Sequence, residues 1–223
     1  MPLRILTINL FNGRADARSF AAALDKHVPD VVAVQELSDN AAEVLANWGT
    51  HRLLDPRDDT TGMGVTASAT ALFSRPEFPN RHPINARIDG AQWGFPAGID
   101  LINAHLVNPI ARPMLASKRL RHAEMLSLER LLNADRVESL RVVVGDLNSS
   151  PAWPLYRHLG RIASDAATEA GTAKRTWGPT PRSPRLLRID HVFIQGARCT
   201  TTQLVDVRGT DHRGLLVTLE PLR

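Results

Sequence analysis

Cysteine, lysine and long apolar runs are the scarce features of this 223-residue sequence. Its only cysteine is Cys199, so the chain can form no internal disulfide and no cysteine-based zinc site. No apolar run approaches the ~20 residues that a membrane-spanning helix needs. The composition therefore predicts a globular protein that relies on its hydrophobic core, without a disulfide framework and without a membrane segment.

Arginine supplies almost all of the positive charge, because lysine occurs only at Lys26, Lys118 and Lys174 among 27 basic residues. The formal net charge is +4. A guanidinium is a planar fork that suits phosphate, and a basic balance is typical of proteins with polyanionic substrates. A GC-rich genome also encodes more arginine, so both a polyanionic substrate and a compositional bias remain open.

The N-terminus enters an apolar strand at residues 3–9 with no cleavable signal before it. We therefore expect a cytoplasmic protein if the chain is complete and a secreted one if a leader has been removed. No linker or internal repeat divides the chain, which favours a single domain over residues 1–223. We expect this domain to be a monomer.

The hydrophobic pattern predicts strands interspersed with helices. Residues 55–66 are polar and rich in glycine, which predicts a loop, and residues 67–74 alternate, which predicts a strand. Because strands outnumber helices, an α/β layered fold with mixed sheets follows. The other predicted strands are 3–9, 30–36, 84–89, 97–104, 187–194, 202–207 and 214–219, and the predicted helices are 15–27, 38–48, 113–131 and 152–159.

The helix predicted to begin at Pro113 has two distinguishable faces. Its apolar stripe is formed at steps of three and four by Ala116, Leu120, Ala123, Ser127 and Leu131. The other face is predicted to be solvated, and it carries Lys118, Arg119, Arg121, Glu124 and Arg130.

The segment Val142–Pro151 (VVVGDLNSSP) combines a buried strand with polar side chains at its end. Ser150 and Pro151 predict the cap and first residue of a following helix. Strand ends in α/β folds usually carry the chemistry. Asp146 can take a proton from water, and Asn148 can orient that water or a substrate oxygen. Alone, the segment is explained at least as well by a strand and an Asx turn.

Other predicted strand ends carry further chemistry-bearing side chains. Glu36 stands at the end of a predicted buried strand, and a carboxylate in that position needs a partner for its charge. Each of these residues has a structural explanation when taken singly, such as a turn cap, a salt bridge or a satisfied core histidine. Their joint occurrence favours a shared site. They are Asn9, Glu36, His105, Asp190, Asp211 and His212.

The order N…QE…HL…GDxN…IDHVF…DH resembles the endonuclease/exonuclease/phosphatase superfamily, over about Arg4 to Leu219. That superfamily includes deoxyribonuclease I-like nucleases, abasic-site endonucleases, inositol-polyphosphate phosphatases and neutral sphingomyelinases. The resemblance implies a four-layered α/β sandwich, in which helices flank two packed mixed β-sheets, and metal-dependent phosphoester hydrolysis. The pattern is most similar to a small bacterial branch, through Gly171-Thr172, Thr176-Trp177 and Arg188–Phe193.

The resemblance implies a metal centre made of carboxylates and amides. Such hard oxygen ligands favour Mg²⁺ or Mn²⁺ over zinc. Glu36 is the expected main ligand, and Asn9 and Asp211 are expected to complete or flank the site. Phe11 stands where some nucleases of the superfamily carry a second metal-binding carboxylate, so we expect no second carboxylate near the N-terminus.

The same resemblance implies the catalytic roles. Asp146 is expected to position or deprotonate the attacking water, and Asn148 to hydrogen-bond the phosphate or the nucleophile. His212 is expected to contact a non-bridging oxygen or transfer a proton, with Asp190 fixing its tautomer. His105 is expected to stabilise the pentacovalent state or to protonate the leaving oxygen.

Substrate class depends on the basic segment 174–188, which directly precedes the Asp190 strand. Here Arg175, Trp177, Arg185 and Arg188 are candidates to hold a phosphate backbone and a stacked base. The structural alternative is a core tryptophan with solvated arginines.

The first hypothesis is a metal-dependent endonuclease that cleaves DNA without sequence preference. The second is a phosphodiesterase or phosphatase for a small-molecule or lipid head-group phosphoester. The third, a catalytically dead binding module, is disfavoured by the intact motifs.

Overall fold

The computed structural model describes residues 1–57, 59–79, 83–110, 113–134 and 139–222. Its helices are α1 (Ala17–His27), α2 (Asp39–Trp48), α3 (Met114–Leu132), α4 (Pro154–Leu159) and α5 (Ala166–Glu169). Its strands are β1 (Leu3–Asn9), β2 (Val31–Gln35), β3 (His51–Asp55), β4 (Met63–Ala67), β5 (Ala71–Ser74), β6 (Ile84–Gly90), β7 (Phe95–Asn103), β8 (Leu140–Asp146), β9 (Ser164–Asp165), β10 (Asp190–Gln195), β11 (Ala197–Val205) and β12 (Gly214–Pro221).

The strands form two mixed six-stranded sheets. The first sheet has the order β11-β12-β1-β2-β4-β3, and the second has the order β5-β6-β7-β8-β10-β9. β1 pairs with β2 in parallel, and β7 pairs with β8 in parallel, whereas the neighbouring pairs are antiparallel. No described helix is both long and apolar enough to cross a bilayer.

Alternating side chains on the central strands explain the layers. On β8, Val142 and Val144 belong to the cluster between the two sheets, whereas Val143 packs outward with residues of α3 and α4. On β1, Ile5 faces the same inner cluster and Leu6 packs with residues of α1 and α2. Each such buried side chain contributes roughly 1.5–3 kcal/mol. The helices therefore cover both outer faces, which confirms the expected four-layered sandwich.

A buried pair of amides connects the two sheets next to one rim. Gln35 at the end of β2 donates to the side-chain oxygen of Asn103 at 2.6 Å. Asn103, at the end of β7, donates to the carbonyl oxygens of Val34 and Gly64 at 2.9 and 3.0 Å. Because both amides are fully buried, these bonds fix how the ends of β2 and β7 face each other.

Three sequence predictions about local structure are wrong. The predicted loop 55–66 contains the start of β4, and the predicted strand 67–74 is interrupted before β5 begins at Ala71. The reason lies in Met63, Val65 and Ala67, which point into the inner cluster although glycines and threonines separate them. The helix after β8 also starts later than predicted, with Pro154 at its first turn.

Candidate active site

A cleft of about 480 Å³ opens at the rim where the ends of β1, β2, β7 and β8 meet. Asn9 pairs with Gln35 in the first sheet, and Asp146 pairs with Asp190 in the second. Residues from both sheets therefore reach one space. The lining includes Phe11, Asn12, Glu36, His105, Asn108, Asp146, Asn148, Trp153, Trp177, Asp211 and His212.

The backbone around the cleft is unusual, because side-chain-bearing residues adopt left-handed φ angles there. Glu36 has a φ of 56° and Asn148 a φ of 46°. Gly145 has a φ of 130°, and a Cβ at that position would lie 2.0 Å from the carbonyl oxygen of Ala104. A glycine is therefore required directly before Asp146. Of five non-glycine residues with positive φ in the described ranges, four line the cleft: Phe11, Asn12, Glu36 and Asn148.

Asn9 joins the two sheets' carboxylates. Its amide nitrogen donates to Glu36 Oε1 at 3.0 Å and to Asp146 Oδ2 at 3.1 Å. Its own oxygen accepts from the backbone N–H of Phe11 at 2.9 Å, and Asn12 N–H donates to Glu36 Oε2 at 2.7 Å. In this arrangement Asn9 acts as a donor that holds Glu36 and Asp146 together, and its oxygen is directed to the backbone.

Asp146 is buried and bonded on two sides. The N–H of Asn148 donates to its Oδ1 at 2.8 Å, and the Asn148 amide also donates to the carbonyl of Leu106 at 3.0 Å. Burial is the largest influence and raises the pKa of the Asp146 carboxyl, while the charge of His212 lowers it. The nearby charges of Asp190 and Glu36 raise it further, so the pKa stays well above the ordinary carboxyl value.

His105 lies between the two joined carboxylates. Its Nε2 is 3.7 Å from Glu36 Oε1 and 3.6 Å from Asp146 Oδ2. The side chain is buried, and it lines the cleft two residues after the end of β7. An imidazole in this position can donate a proton toward the space that the carboxylates face.

His212 is oriented by a carboxylate behind it. Its Nδ1 lies 2.9 and 3.1 Å from the two oxygens of Asp190, which is fully buried. Its Nε2 therefore faces the cleft, 3.7 Å from Asp146 Oδ2 and 3.8 Å from Asp211 Oδ1. Burial alone lowers the pKa of His212, but the charge and hydrogen bond of Asp190, with Asp146 and Asp211, raise it to about 9. The imidazole is thus protonated at neutral pH.

The two carboxylate oxygens of Asp211 differ in their hydrogen bonding. The indole N–H of Trp177 donates to its Oδ2 at 3.0 Å. Its Oδ1 is buried and accepts no hydrogen bond from any residue that the structure describes. Burial raises the pKa of Asp211, while His212 and Trp177 lower it. A buried carboxylate oxygen without a donor needs a cation or another hydrogen-bond partner.

The donor set fits a divalent cation. Glu36, Asp146 and Asp211 converge on a cleft whose described lining includes no lysine or arginine. Ligand atoms of Asp146, Asp190 and His212 also lie within 4.8 Å of one another. Both oxygens of Asp190 lie within hydrogen-bonding distance of His212 Nδ1, whereas the carboxylates of Glu36, Asp146 and Asp211 line the cleft. Carboxylate oxygens suit Mg²⁺ or Mn²⁺.

Helix α3 holds the loop that carries His105, and sequence reasoning missed this function. Glu124 is completely buried, contrary to the predicted solvated face, and its carboxylate accepts from Val107 N–H at 3.1 and 3.3 Å. Arg121 donates to the carbonyl of Val107, and Ser117 donates to that of Asn108 at 2.9 Å. The signal in the sequence was the spacing of residues 117, 121, 124 and 128, which lie along one helical stripe.

The basic segment contributes unequally to the site. Trp177 lines the cleft, and Arg185 lies behind it, donating to the carbonyls of Thr210 and His212 at 3.1 and 3.4 Å. Arg188 is buried and pairs with Asp165 at 2.6 Å, and Arg175 is exposed. Neither Arg188 nor Arg175 is among the described residues that line the cleft.

Comparison with known proteins identifies one matching family. A family model described as the Endonuclease/Exonuclease/phosphatase family matches residues 6–212. No curated protein matches the sequence significantly.

Solved structures share the whole fold at low identity. TDP2 from D. rerio, complexed with single strand DNA product, has 18% identity and a TM-score of 0.75, covering 98% of this chain and 99% of that one. The 3′ phosphatase NExo from Neisseria, bound to product DNA hairpin, has 18% identity and a TM-score of 0.73, covering 96% and 98%. An endonuclease/exonuclease/phosphatase from Beutenbergia cavernae has 19% identity and a TM-score of 0.73, covering 99% and 72%.

Proposed function

The chain belongs to the Endonuclease/Exonuclease/phosphatase family of phosphoester hydrolases, and from this premise we propose that it is a divalent-metal-dependent DNA endonuclease without sequence preference. The residues 1–223 would act as one domain with one site. The observation that carries the proposal is the convergence of Glu36, Asp146 and Asp211 beside a histidine that Asp190 keeps protonated.

The acidic cleft itself argues for a cation. A phosphodiester is an anion, and it cannot approach several buried carboxylates unless a positive charge offsets their repulsion. Glu36 and Asp211 would hold the ion, with Asn9 keeping Glu36 in place. A bound Mg²⁺ or Mn²⁺ supplies charge neutralisation and polarises the phosphoryl oxygen.

The protein's own groups divide the proton transfers. Asp146 accepts the proton of the attacking water, since its raised pKa makes it a stronger base than an exposed carboxylate. Asn148 fixes Asp146 through its backbone N–H. His212 donates from Nε2 to a non-bridging phosphate oxygen, and Asp190 keeps that nitrogen pointed at the cleft. His105, whose Nε2 lies 3.6 Å from Asp146 Oδ2, protonates the leaving oxygen.

DNA is favoured as the substrate by three observations. The relatives TDP2 and NExo were solved with DNA. The chain carries a net charge of +4, which draws a polyanion toward it. Trp177 places an aromatic ring at the cleft, where a base could stack.

A second candidate function has one specific observation in its favour. Ile110 lines the cleft and is 75% exposed, so the rim of the site carries an apolar side chain. Such a rim suits the head-group phosphoester of a lipid or a small apolar ester.

The deciding experiment is nicking of supercoiled plasmid with EDTA, Mg²⁺ and Mn²⁺ compared. We expect metal-dependent nicking that Asp146→Asn loses and that Asp39→Asn, an exposed carboxylate on α2, retains. Hydrolysis of bis-p-nitrophenyl phosphate is measured on the same preparations. If the wild type hydrolyses this ester and leaves both the plasmid and single-stranded DNA intact, the DNA assignment is wrong and lipid or small phosphoesters become the substrates.

A further inference from the structure

A second pocket of about 470 Å³ opens beside the catalytic cleft. Pro109 and Trp153 line both spaces, so the two pockets adjoin across these residues. Away from the boundary, the walls of the second pocket are largely apolar and include Met125 and Leu155. A flat ring lying against Trp153 would therefore meet apolar surface on its other sides.

One helix face supplies positive charge to this pocket. Lys118, Arg121 and His122 line it, and they follow one another at i, i+3 and i+4 on α3, which places them on one side of the helix. No carboxylate is among the described residues of the lining. The pocket therefore combines an aromatic wall and an apolar floor with cationic side chains.

Arg121 connects the second pocket to the reaction. Its guanidinium donates to the carbonyl of Val107, two residues after His105. It also lies close enough to Asp146 to be attracted by that carboxylate. A ligand that occupies the second pocket can thus remain attached to a phosphate held in the catalytic cleft.

We propose that the second pocket binds an unpaired nucleotide of the substrate, whose base stacks on Trp153 and whose phosphate contacts Lys118 and Arg121. This inference rests on the proposed nuclease function and specifies its substrate class. A base exposes its face to a side chain only when it is out of the double helix, so the preferred substrate is DNA with unpaired bases, such as a single strand, an unpaired end or a locally melted stretch of supercoiled plasmid. Stacking on an aromatic ring tolerates every base, which agrees with cleavage without sequence preference.

The test compares kcat/KM for a single-stranded octanucleotide with kcat/KM for bis-p-nitrophenyl phosphate, in the same buffer and metal. We expect Trp153→Ala to lower the ratio of these two values about 5- to 100-fold, mainly through KM for the oligonucleotide. Trp153→Phe keeps an aromatic ring and should retain most of the wild-type ratio. This variant separates the loss of stacking from the effect of changing the residue as such. Lys118→Gln should weaken oligonucleotide binding and reduce its salt dependence. Arg119→Gln removes the same charge one residue away, outside the pocket lining, and should change neither.

The possible results separate the two proposals. An unchanged ratio in Trp153→Ala, with the wild type still cleaving the oligonucleotide, overturns the nucleotide pocket and leaves the nuclease in place. Wild type that hydrolyses the small ester but no oligonucleotide overturns the nuclease, and the pocket assignment with it. Equal cleavage of blunt duplex and single strand by the wild type would also overturn the unpaired substrate. Selective loss of hydrolysis of phospholipid in mixed micelles would assign the pocket to an acyl chain instead.

Discussion

Replacing Asp190 by Asn should strip His212 of its charge at neutral pH. In the wild type, His212 Nδ1 lies 2.9 Å from a carboxylate oxygen of the fully buried Asp190, and the pKa of the histidine is about 9. An amide leaves the size of the side chain almost unchanged but removes the negative charge. Because burial lowers the pKa of His212 and Asp190 is the largest of the influences that raise it, we expect the pKa to fall toward its ordinary value of 6.5.

The magnitude follows from this pKa change. A fall from about 9 toward 6.5 corresponds to roughly 3 kcal/mol of lost stabilisation of the imidazolium. At pH 7.5 a pKa of 6.5 would leave about one tenth of the imidazole protonated, which alone lowers kcat about tenfold. Loss of the fixed tautomer adds to this, since the same replacement behind the histidine of serine proteases lowers kcat by ~10⁴. We expect a total loss of about 10²- to 10⁴-fold.

The direction of the pH dependence is the sharper test. A raised pKa keeps His212 charged up to about pH 9, so wild-type activity should fall only above that pH. In Asp190→Asn the descending limb should move down toward pH 6.5. The assays are kcat from pH 5.5 to 9.5 and NMR titration of His212 in metal-free protein.

A matched control exists in the chain. Asp165 lies 3.2 Å from Nδ1 of the buried His191, outside the cleft lining, and Asp165→Asn should lower thermal stability without shifting the His212 titration. The reasoning fails if His212 in Asp190→Asn still titrates near pH 9, or if both variants shift its titration equally.

Three further outcomes follow from the site. Asp146→Asn should lower kcat by several orders of magnitude with little change in thermal stability, measured on bis-p-nitrophenyl phosphate, and near-normal turnover would contradict its role as base. Glu36→Gln should weaken Mg²⁺ or Mn²⁺ binding in calorimetry at least about tenfold, whereas the exposed Glu43→Gln should bind as the wild type does. Glu124→Ala should cost about 1–3 kcal/mol in urea unfolding and lower kcat, because the buried N–H of Val107 loses its acceptor. Glu124→Gln should retain most of the stability and most of kcat. Unchanged stability and kcat in Glu124→Ala would show that the loop does not need this hydrogen bond.

Local pattern predicted the parts of the site that lie at strand ends. The run Val142–Val144 is apolar on both faces, so it could only be a fully buried strand, and Asp146 had to emerge at its end. Asn9 and Glu36 were found for the same reason at the ends of β1 and β2. The motif order then implied that these ends share a rim, and the structure brings them together.

The same reasoning could not identify contacts between residues that are distant in the sequence. Glu124 was assigned to solvent because nothing in its helix shows that the loop after His105 would return to it. Arg188 was assigned to the substrate because its partner, Asp165, lies 23 residues away. The Gln35–Asn103 link joins strands of different sheets. In each case a polar residue is buried by a partner that sequence spacing does not identify.

The left-handed backbone angles around the cleft make this site a local weak point in the stability of the protein. Holding a side-chain-bearing residue in that conformation costs about 1–2 kcal/mol, somewhat less for asparagine, and four such residues surround the cleft. Glycine at Glu36 would relieve that cost and remove a carboxylate of the proposed cation site. Selection for heat resistance alone would therefore favour inactive descendants, and engineering for thermostability should exclude these positions from its libraries.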